Sequence, residues 1–152
     1  PEFKKLNCEL LGLSIDSVHS HIAWVRNIKE KFGVDIPFPI IEDLSMRVAN
    51  AYGMIQPGAS DTSAVRATFI IDDKGVLRAM AYYRMSNGRS VPEFLRLVGA
   101  MQTPGQKGVA TPEGWKPGDK VIVPPPATGE AAQKRMSEGY ECTDWYFCQK
   151  VA

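Results

Sequence analysis

The sequence predicts an α/β fold built on a mixed sheet, followed by a C-terminal arm. Over roughly the first 100 residues, short apolar segments alternate with amphipathic ones in the order βαβαββα, which is typical of a layered α/β structure. Two adjacent segments rich in β-branched and aromatic residues flank a turn, which indicates an antiparallel hairpin within that sheet. After Gln102 prolines and glycines become dense, which indicates a change of architecture.

Composition and charge are those of a globular protein. The 152 residues are 44% hydrophobic and 23% charged, with a net charge of +1, so no strong field favours nucleic acid or an anionic membrane. The sequence has no run of about 18 apolar residues that predicts a membrane-spanning helix. It also has no signal-peptide pattern, and we therefore expect a cytoplasmic protein.

The first four predicted elements are two strand–helix pairs. Residues 8–16 are short and mostly apolar, which favours a buried parallel strand. A helix follows, with Ser17 or Ser20 as candidate N-caps and Gly33 at its end. A second strand is predicted at 37–43 and a second helix at 45–52.

A hairpin and a third helix complete the predicted core. Residues 56–63 are small and polar, which predicts a loop. Strands at 65–71 and 76–83 are joined by a turn in which Gly75 supplies a positive φ. The third helix is predicted to begin at a capping box of Ser90 and Glu93.

The remaining residues are predicted to form an arm, which divides the chain into a core at 1–103 and an arm at 104–152. The arm contains a predicted strand at 121–123, a short helix at 128–139 and a tail at 140–148. Because so little of it can form a core of its own, we expect it to pack against another surface, with a neighbouring subunit as the natural candidate.

The three cysteines, Cys8, Cys142 and Cys148, are too few for a secreted disulfide framework. Cys142 and Cys148 flank an aromatic block near the C-terminus, and three interpretations stay open. They are buried apolar residues, zinc ligands, or a redox pair in which one thiol resolves an oxidised cysteine and the other exchanges with it. A zinc site needs four ligands, and His19 and His21 are distant in sequence and predicted at a helix start or on the surface.

Arg66 is the second candidate, because it begins an otherwise apolar strand. A guanidinium there must be paired or face a cleft, since burying it alone is costly. It forms either a structural salt bridge or a fixed cation that lowers the pKa of a thiol or holds an oxyanion. The carboxylate pair Asp72 and Asp73 is explained by the hairpin turn.

Several phrases of the sequence together resemble one enzyme family, the peroxiredoxins. In the core these are residues 11–17, 20–24, 37–43, 65–72 and 88–93. In the arm, residues 114–119 and 121–126 resemble the long C-terminal domain of the one-cysteine-type subfamily. The ending is similar to that of microbial members that finish in Cys-x5-Cys and a short tail.

The resemblance implies a thioredoxin-like fold and the reduction of hydrogen peroxide and organic hydroperoxides through a cysteine sulfenic acid. Arg66 matches the active-site arginine of the family, and Arg89 a second arginine that supports it. Cys142 matches the resolving cysteine, and Cys148 is a secondary thiol downstream of it. The resemblance further implies no cofactor and no metal, a thioredoxin-type reductant, and a homodimer or larger ring.

One departure from the family pattern affects the functional prediction. The family motif Pro-x-x-x-Thr-x-x-Cys, which carries the peroxidatic cysteine, does not occur in these 152 residues. Cys8 cannot substitute for it, because it opens the strand that follows the active-site helix in the family. We therefore expect a C-terminal portion of a peroxiredoxin that is inactive by itself, in which the Cys8 and Arg66 strands do not pair directly.

Two alternatives remain open at this point. The chain is a non-catalytic peroxiredoxin-like module that retains oligomer contacts only, or it is a thioredoxin-like disulfide oxidoreductase. The second has a redox tail in its favour but lacks the usual Cys-x-x-Cys.

Overall fold

The computed structural model describes residues 1–55 and 65–151, so the loop predicted at 56–63 lies outside the described residues. The chain forms two compact units that divide between Arg89 and Ser90. The elements in chain order are α1 (Glu2–Lys5), β1 (Gly12–Ser14), α2 (Val18–Phe32), β2 (Ile40–Glu42), α3 (Arg47–Ala51), β3 (Arg66–Ile71), β4 (Leu77–Tyr83), α4 (Val91–Lys107), β5 (Lys120–Val123), α5 (Gly129–Arg135), β6 (Glu141–Asp144) and β7 (Phe147–Val151).

Helix α2 has the ends that its sequence predicts. Ser17 is the N-cap, and its side chain accepts a hydrogen bond from the backbone N–H of Ser20. Gly33 ends the helix in the left-handed conformation, with φ of 66°, which glycine adopts without a steric penalty. The local cap signals therefore fix both ends of this helix.

The strands of the first unit form two separate two-stranded sheets. β1 and β2 are parallel, with Leu13 opposite Ile41, whereas β3 and β4 are antiparallel, with Arg66 opposite Tyr83. Among the described strands β1 does not pair with β3, in agreement with the prediction that these two do not meet directly. β1 is shorter than predicted and begins at Gly12, so Cys8 precedes the strand instead of opening it.

The core of the first unit is small. Ala49, Met54 and Ala67 are its buried apolar residues, and Phe69 packs against them. The ring of Phe69 also makes an edge contact with Tyr52, with 4.8 Å between ring centroids. This core brings α3 together with strand β3, which carries Arg66 at its first position.

A buried carboxylate holds the start of α3. Asp43 is only 3% exposed, and its two oxygens accept hydrogen bonds from the backbone N–H groups of Val48, at 3.1 Å, and Ala49, at 2.7 Å. These N–H groups belong to the first turn of the helix and have no partner within it. Asp43 therefore caps α3 from three residues before its N-cap, Met46.

The β3–β4 turn is organised by Asp72. Its Oδ1 accepts from the backbone N–H groups of Lys74 and Val76, and its Oδ2 from Arg78 Nε at 2.7 Å. The N–H of Val76 and then the Arg78 guanidinium hold the pKa of this carboxyl below its usual range. Gly75 has a φ of 75°, which confirms the positive φ predicted for this turn position. Asp72 is thus a structural turn residue, as expected from the sequence.

Helix α4 opens the second unit and differs from prediction at both ends. Ser90 is the N-cap residue, but its side chain makes no capping hydrogen bond, so the predicted capping box is wrong. Glu93 is instead bound by both Nε and Nη2 of Arg96, at 2.8 and 2.7 Å. A bidentate charge-assisted pair is stronger than a bond to a backbone N–H, which explains the outcome. The helix also continues to Lys107.

Residues of the predicted arm form a sheet. Strands β5, β7 and β6 are antiparallel, with β7 in the centre. Trp115 and Val121 are 4% and 0% exposed and pack with Ala100 of α4 and with Val109. This cluster therefore combines Ala100, which lies within the predicted core at 1–103, with residues of the predicted arm.

A buried arginine joins α5 to this sheet. Arg135 is 5% exposed and donates to the carbonyl oxygens of Pro124 and Val123 at the end of β5. Its guanidinium also lies 5.7 Å from the centroid of the Tyr140 ring, a cation–π distance. The contacts explain why a charged side chain is tolerated inside this unit.

The predicted boundary at 103/104 falls within α4, and the division into a core at 1–103 and an arm at 104–152 stays a prediction about functional domains. Within the described residues, no helix is long and apolar enough to span a membrane.

Candidate functional site

Arg66 lies at the first position of β3 with its side chain exposed. Its Nε donates to the backbone carbonyl oxygen of Met85 at 2.8 Å, which fixes the guanidinium plane beside the end of β4. It makes no ion pair with a carboxylate of the described residues. Among the described residues, the partner of the Arg66 side chain is therefore a backbone carbonyl and not a carboxylate.

Arg89 reaches the same end of β3. Its Nη1 donates to the carbonyl oxygen of Ala67 at 2.9 Å, and Ala67 directly follows Arg66. The structure thus brings the two predicted arginines to consecutive residues of one strand. Two cations with backbone carbonyl partners form a positive end to β3, which suits binding of an anion or stabilisation of a thiolate.

Cys142 and Cys148 form a disulfide. They lie directly opposite each other on β6 and β7, and the turn between the two strands contains the aromatic block. Of the interpretations left open, the structure selects a covalent pair over two buried thiols or zinc ligands. In residues 1–55 and 65–151, no group of three His, Cys, Asp or Glu side chains could hold a metal ion.

The turn that joins the two half-cystines presents aromatic rings to solvent. Trp145 and Tyr146 are 41% and 55% exposed, and their rings meet edge to face with centroids 5.7 Å apart. Trp145 also lines a cavity of about 540 Å³ whose other walls are residues 126–129 and α5. The disulfide is therefore at an accessible edge of the second unit.

Cys8 is a free, partly exposed cysteine. Burial raises the pKa of its thiol, and the neighbouring Glu9 carboxylate raises it further. Both effects favour the protonated thiol, which is a poor nucleophile. This environment supports the sequence-based view that Cys8 does not replace a peroxidatic cysteine.

His21, which the sequence predicts at a helix start or on the surface, lies in the first turn of α2 and is buried. It is 8% exposed, and its Nε2 lies 2.6 Å from Ser14 Oγ, whose hydroxyl donates to Asp16 Oδ2 at 2.8 Å. Because the Ser14 proton goes to Asp16, His21 Nε2 is the donor to Ser14. The signal in the sequence was the position of His21 one turn after the N-cap Ser17, where helix and strand pack together.

Both units of the chain match models of known protein families. Residues 1–80 match the model of the AhpC/TSA family, and residues 100–139 match the C-terminal domain of 1-Cys peroxiredoxin. The chain is 59% identical to the peroxiredoxin of Aquifex aeolicus, in an alignment that covers 98% of this chain and 72% of that protein.

This chain belongs to the peroxiredoxin family. The peroxiredoxin 2 of Caldanaerobacter subterraneus is 53% identical, with 97% of this chain and 68% of that protein covered. Peroxiredoxins are thiol peroxidases that reduce a hydroperoxide at the expense of a thiol, so the family-level activity predicted from the sequence is confirmed.

Solved peroxiredoxin structures share the fold. The yeast mitochondrial 1-Cys peroxiredoxin superposes with a TM-score of 0.85 at 34% identity, covering 100% of this chain and 74% of that one. A cysteine-to-serine mutant of the peroxiredoxin 6 of Arenicola marina gives 0.82 at 32% identity, with 99% and 73% covered. The predicted thioredoxin-like mixed α/β fold with a C-terminal domain is therefore confirmed.

The candidate residues divide between the two units. Arg66 and Arg89 belong to the first unit, which carries most of the AhpC/TSA match, and Cys142 and Cys148 belong to the second.

Proposed function

We propose that these residues serve a peroxidase that reduces hydrogen peroxide and organic hydroperoxides through a cysteine sulfenic acid, with Arg66 as the active-site arginine. The observation that carries the proposal is the position of Arg66, exposed at the start of β3 with its Nε donating to the backbone carbonyl oxygen of Met85. An exposed guanidinium stabilises a thiolate and polarises the departing peroxide oxygen. Arg89 supports it from the neighbouring carbonyl of Ala67.

In the proposed cycle, a peroxidatic thiolate of the family motif attacks the peroxide O–O bond. The sulfur becomes a sulfenic acid, and the alkoxide or hydroxide leaves and takes a proton. The Cys142 thiolate attacks the sulfenic sulfur, water leaves, and a mixed disulfide forms. Cys148 then exchanges with Cys142, which releases the peroxidatic thiolate and yields the Cys142–Cys148 disulfide. A thioredoxin-type dithiol reduces this disulfide.

The arginine roles are tested in a chimera. The segment of the Aquifex aeolicus peroxiredoxin that carries the Pro-x-x-x-Thr-x-x-Cys motif is joined to residues 1–152, and the second-order rate constant with hydrogen peroxide is measured. Arg66→Ala should lower it by about 100-fold, as expected for loss of one electrostatic stabiliser, and Arg89→Ala by about 10-fold. Arg78→Ala is the matched control, since Arg78 lies on the same hairpin and donates to Asp72 in the turn. Wild-type rates for the Arg66 variant would refute its role.

The 152-residue chain is proposed to be inactive by itself, because the family motif is absent from its sequence. In a peroxide-consumption assay with thioredoxin, thioredoxin reductase and NADPH, it should show no turnover above a Cys142→Ser, Cys148→Ser double variant. Sustained turnover that disappears in Cys8→Ser would reassign Cys8 as the peroxidatic residue. Inactivity here together with activity of the chimera would exclude the purely structural alternative for these residues.

We also propose that the protein works as a homodimer or a larger ring. The support is the exposed apolar surface of α2, on which Ile22 and Phe32 are 53% and 70% exposed. Sedimentation of the chimera should show a dimer or larger species, and a monomer at micromolar concentration would refute this part.

A further inference from the structure

The two sulfurs of the Cys142–Cys148 disulfide lie in different surroundings. Cys148 is on β7, the central strand of its sheet, opposite Cys142 on one side and Val123 on the other, and it is 0% exposed. Cys142 is on the edge strand β6 and is partly exposed. Because disulfide exchange requires a thiolate to reach the attacked sulfur, access alone distinguishes the two.

The polar neighbours of Cys148 distinguish the sulfurs further. Its Sγ lies 3.5 Å from the carbonyl oxygen of Asp144 and 3.9 Å from that of Trp145. A carbonyl oxygen accepts a hydrogen bond from a thiol S–H but offers none to a thiolate. After the disulfide opens, these carbonyl oxygens lie within reach of a Cys148 S–H group.

We propose that a dithiol reductant opens this disulfide from one side only, by attack on Cys142 Sγ with Cys148 as the leaving group. This proposal rests on the proposed function, since it specifies which sulfur meets the reductant in its last step. Cys142 is then the position that exchanges with outside partners, and Cys148 is an internal thiol that closes the disulfide.

The electrons and protons balance in two displacements. The first thiolate of the reductant forms a bond to Cys142 Sγ, the Sγ–Sγ bond breaks, and Cys148 leaves with the electron pair. Cys148 takes up a proton from solvent, and the second thiol of the reductant loses its proton to solvent and becomes a thiolate. That thiolate attacks the reductant sulfur of the mixed disulfide and releases Cys142 as a thiolate, so the reductant is oxidised by two electrons and the Cys142–Cys148 disulfide is reduced by two.

The experiment traps the first intermediate on the oxidised 152-residue chain. The probe is a thioredoxin whose second active-site cysteine is replaced by serine, so that the mixed disulfide cannot be resolved. After acid quench and alkylation of free thiols, chymotryptic cleavage at Trp145, Tyr146 or Phe147 separates the two cysteines for mass spectrometry. At the earliest time points, the thioredoxin adduct should be on Cys142 at least about tenfold more often than on Cys148, with Cys148 alkylated.

The same reaction in 6 M guanidinium chloride, with glutathione as the probe in both conditions, is the control for the fold. There the preference for Cys142 should fall to about twofold or less, because access to the two sulfurs becomes equal. Equal adducts on the two cysteines of the folded chain, or a preference for Cys148, would overturn the proposal.

A second measurement does not depend on thioredoxin. In the fully reduced folded chain, iodoacetamide should modify Cys142 at least about tenfold faster than Cys148, since Cys148 is buried and inaccessible to the reagent. Equal rates would contradict the proposed asymmetry. Neither result bears on peroxide turnover by the chimera, so failure here is distinguishable from failure of the proposed function.

Discussion

Arg89 Nη1 donates to the carbonyl oxygen of Ala67 at 2.9 Å, so the segment that leads into α4 is tied to the residue after Arg66. Ala67 is itself 8% exposed and belongs to the small core of the first unit. The bond therefore links the position of Arg89 to the packing of Ala67, the residue that follows Arg66.

Replacement of Arg89 should weaken the fold as well as the site. Arg89→Ala removes one partly buried hydrogen bond and is expected to lower the free energy of unfolding by about 1 kcal/mol. Urea titration followed by circular dichroism measures this change. Arg84→Ala, at an exposed position of the same loop, is the control and should stay within about 0.5 kcal/mol of wild type. Equal stability of the two variants would contradict the structural part of the role.

His21 is predicted to be a stability residue. His21→Ala leaves Ser14 Oγ without its donor and creates a cavity between α2 and β1, so the loss should be about 1–3 kcal/mol. His19 is exposed on the same helix, and His19→Ala should change stability by less than about 0.5 kcal/mol. Urea midpoints of the two variants give the comparison, and a larger effect at His19 would show that His21 is not the buried histidine.

Asp72 should make stability depend on pH in the acid range. Its pKa is lowered in the folded chain by the N–H of Val76 and by Arg78, so its contribution is complete above the unfolded value of about 4 and is lost as pH falls through the folded value. Wild type should therefore exceed Asp72→Asn in stability at pH 7, and this difference should shrink toward pH 3. Urea midpoints at both pH values test the sign, with Asp73→Asn as the control. A difference that grows on acidification would contradict it.

Reduction of the disulfide should destabilise the second unit. Opening the short loop between Cys142 and Cys148 increases the entropy of the unfolded chain and is expected to cost about 2 kcal/mol. Thermal unfolding with and without dithiothreitol, followed through tryptophan fluorescence, measures the loss. The Cys142→Ser, Cys148→Ser double variant should show no response to dithiothreitol, and a response equal to that of wild type would assign the effect to something other than this bond.

Local signals in the sequence were sufficient where a structure depends on neighbouring residues. Ser17 begins α2 and Gly33 ends it, because helix caps depend on residues only three or four positions apart. Gly75 supplies the positive φ of the β3–β4 turn, which is also a local feature. The family phrases around Arg66 and Arg89 identified both arginines. Their partners, however, are backbone carbonyls 19 and 22 residues away, which no local pattern encodes.

The second unit shows where local reasoning fails. Strand β5 pairs with β7 across about 30 residues, with Lys120 opposite Val151, and Trp115 packs with Ala100 of α4 as well as with Val109 and Val121. The composition indicated an arm without a core, because prolines and glycines obscure strand periodicity. The burial of His21 and Arg135 was missed for a related reason, since a polar residue is buried only when distant groups accept its hydrogen bonds.

The central position of β7 has a consequence for reduction and reoxidation of the Cys142–Cys148 disulfide. Cys148 is held by backbone pairing with β5 as well as by its bond to Cys142. We therefore expect β7 to keep its backbone partners when the disulfide opens, so that the sheet stays folded through reduction and reoxidation.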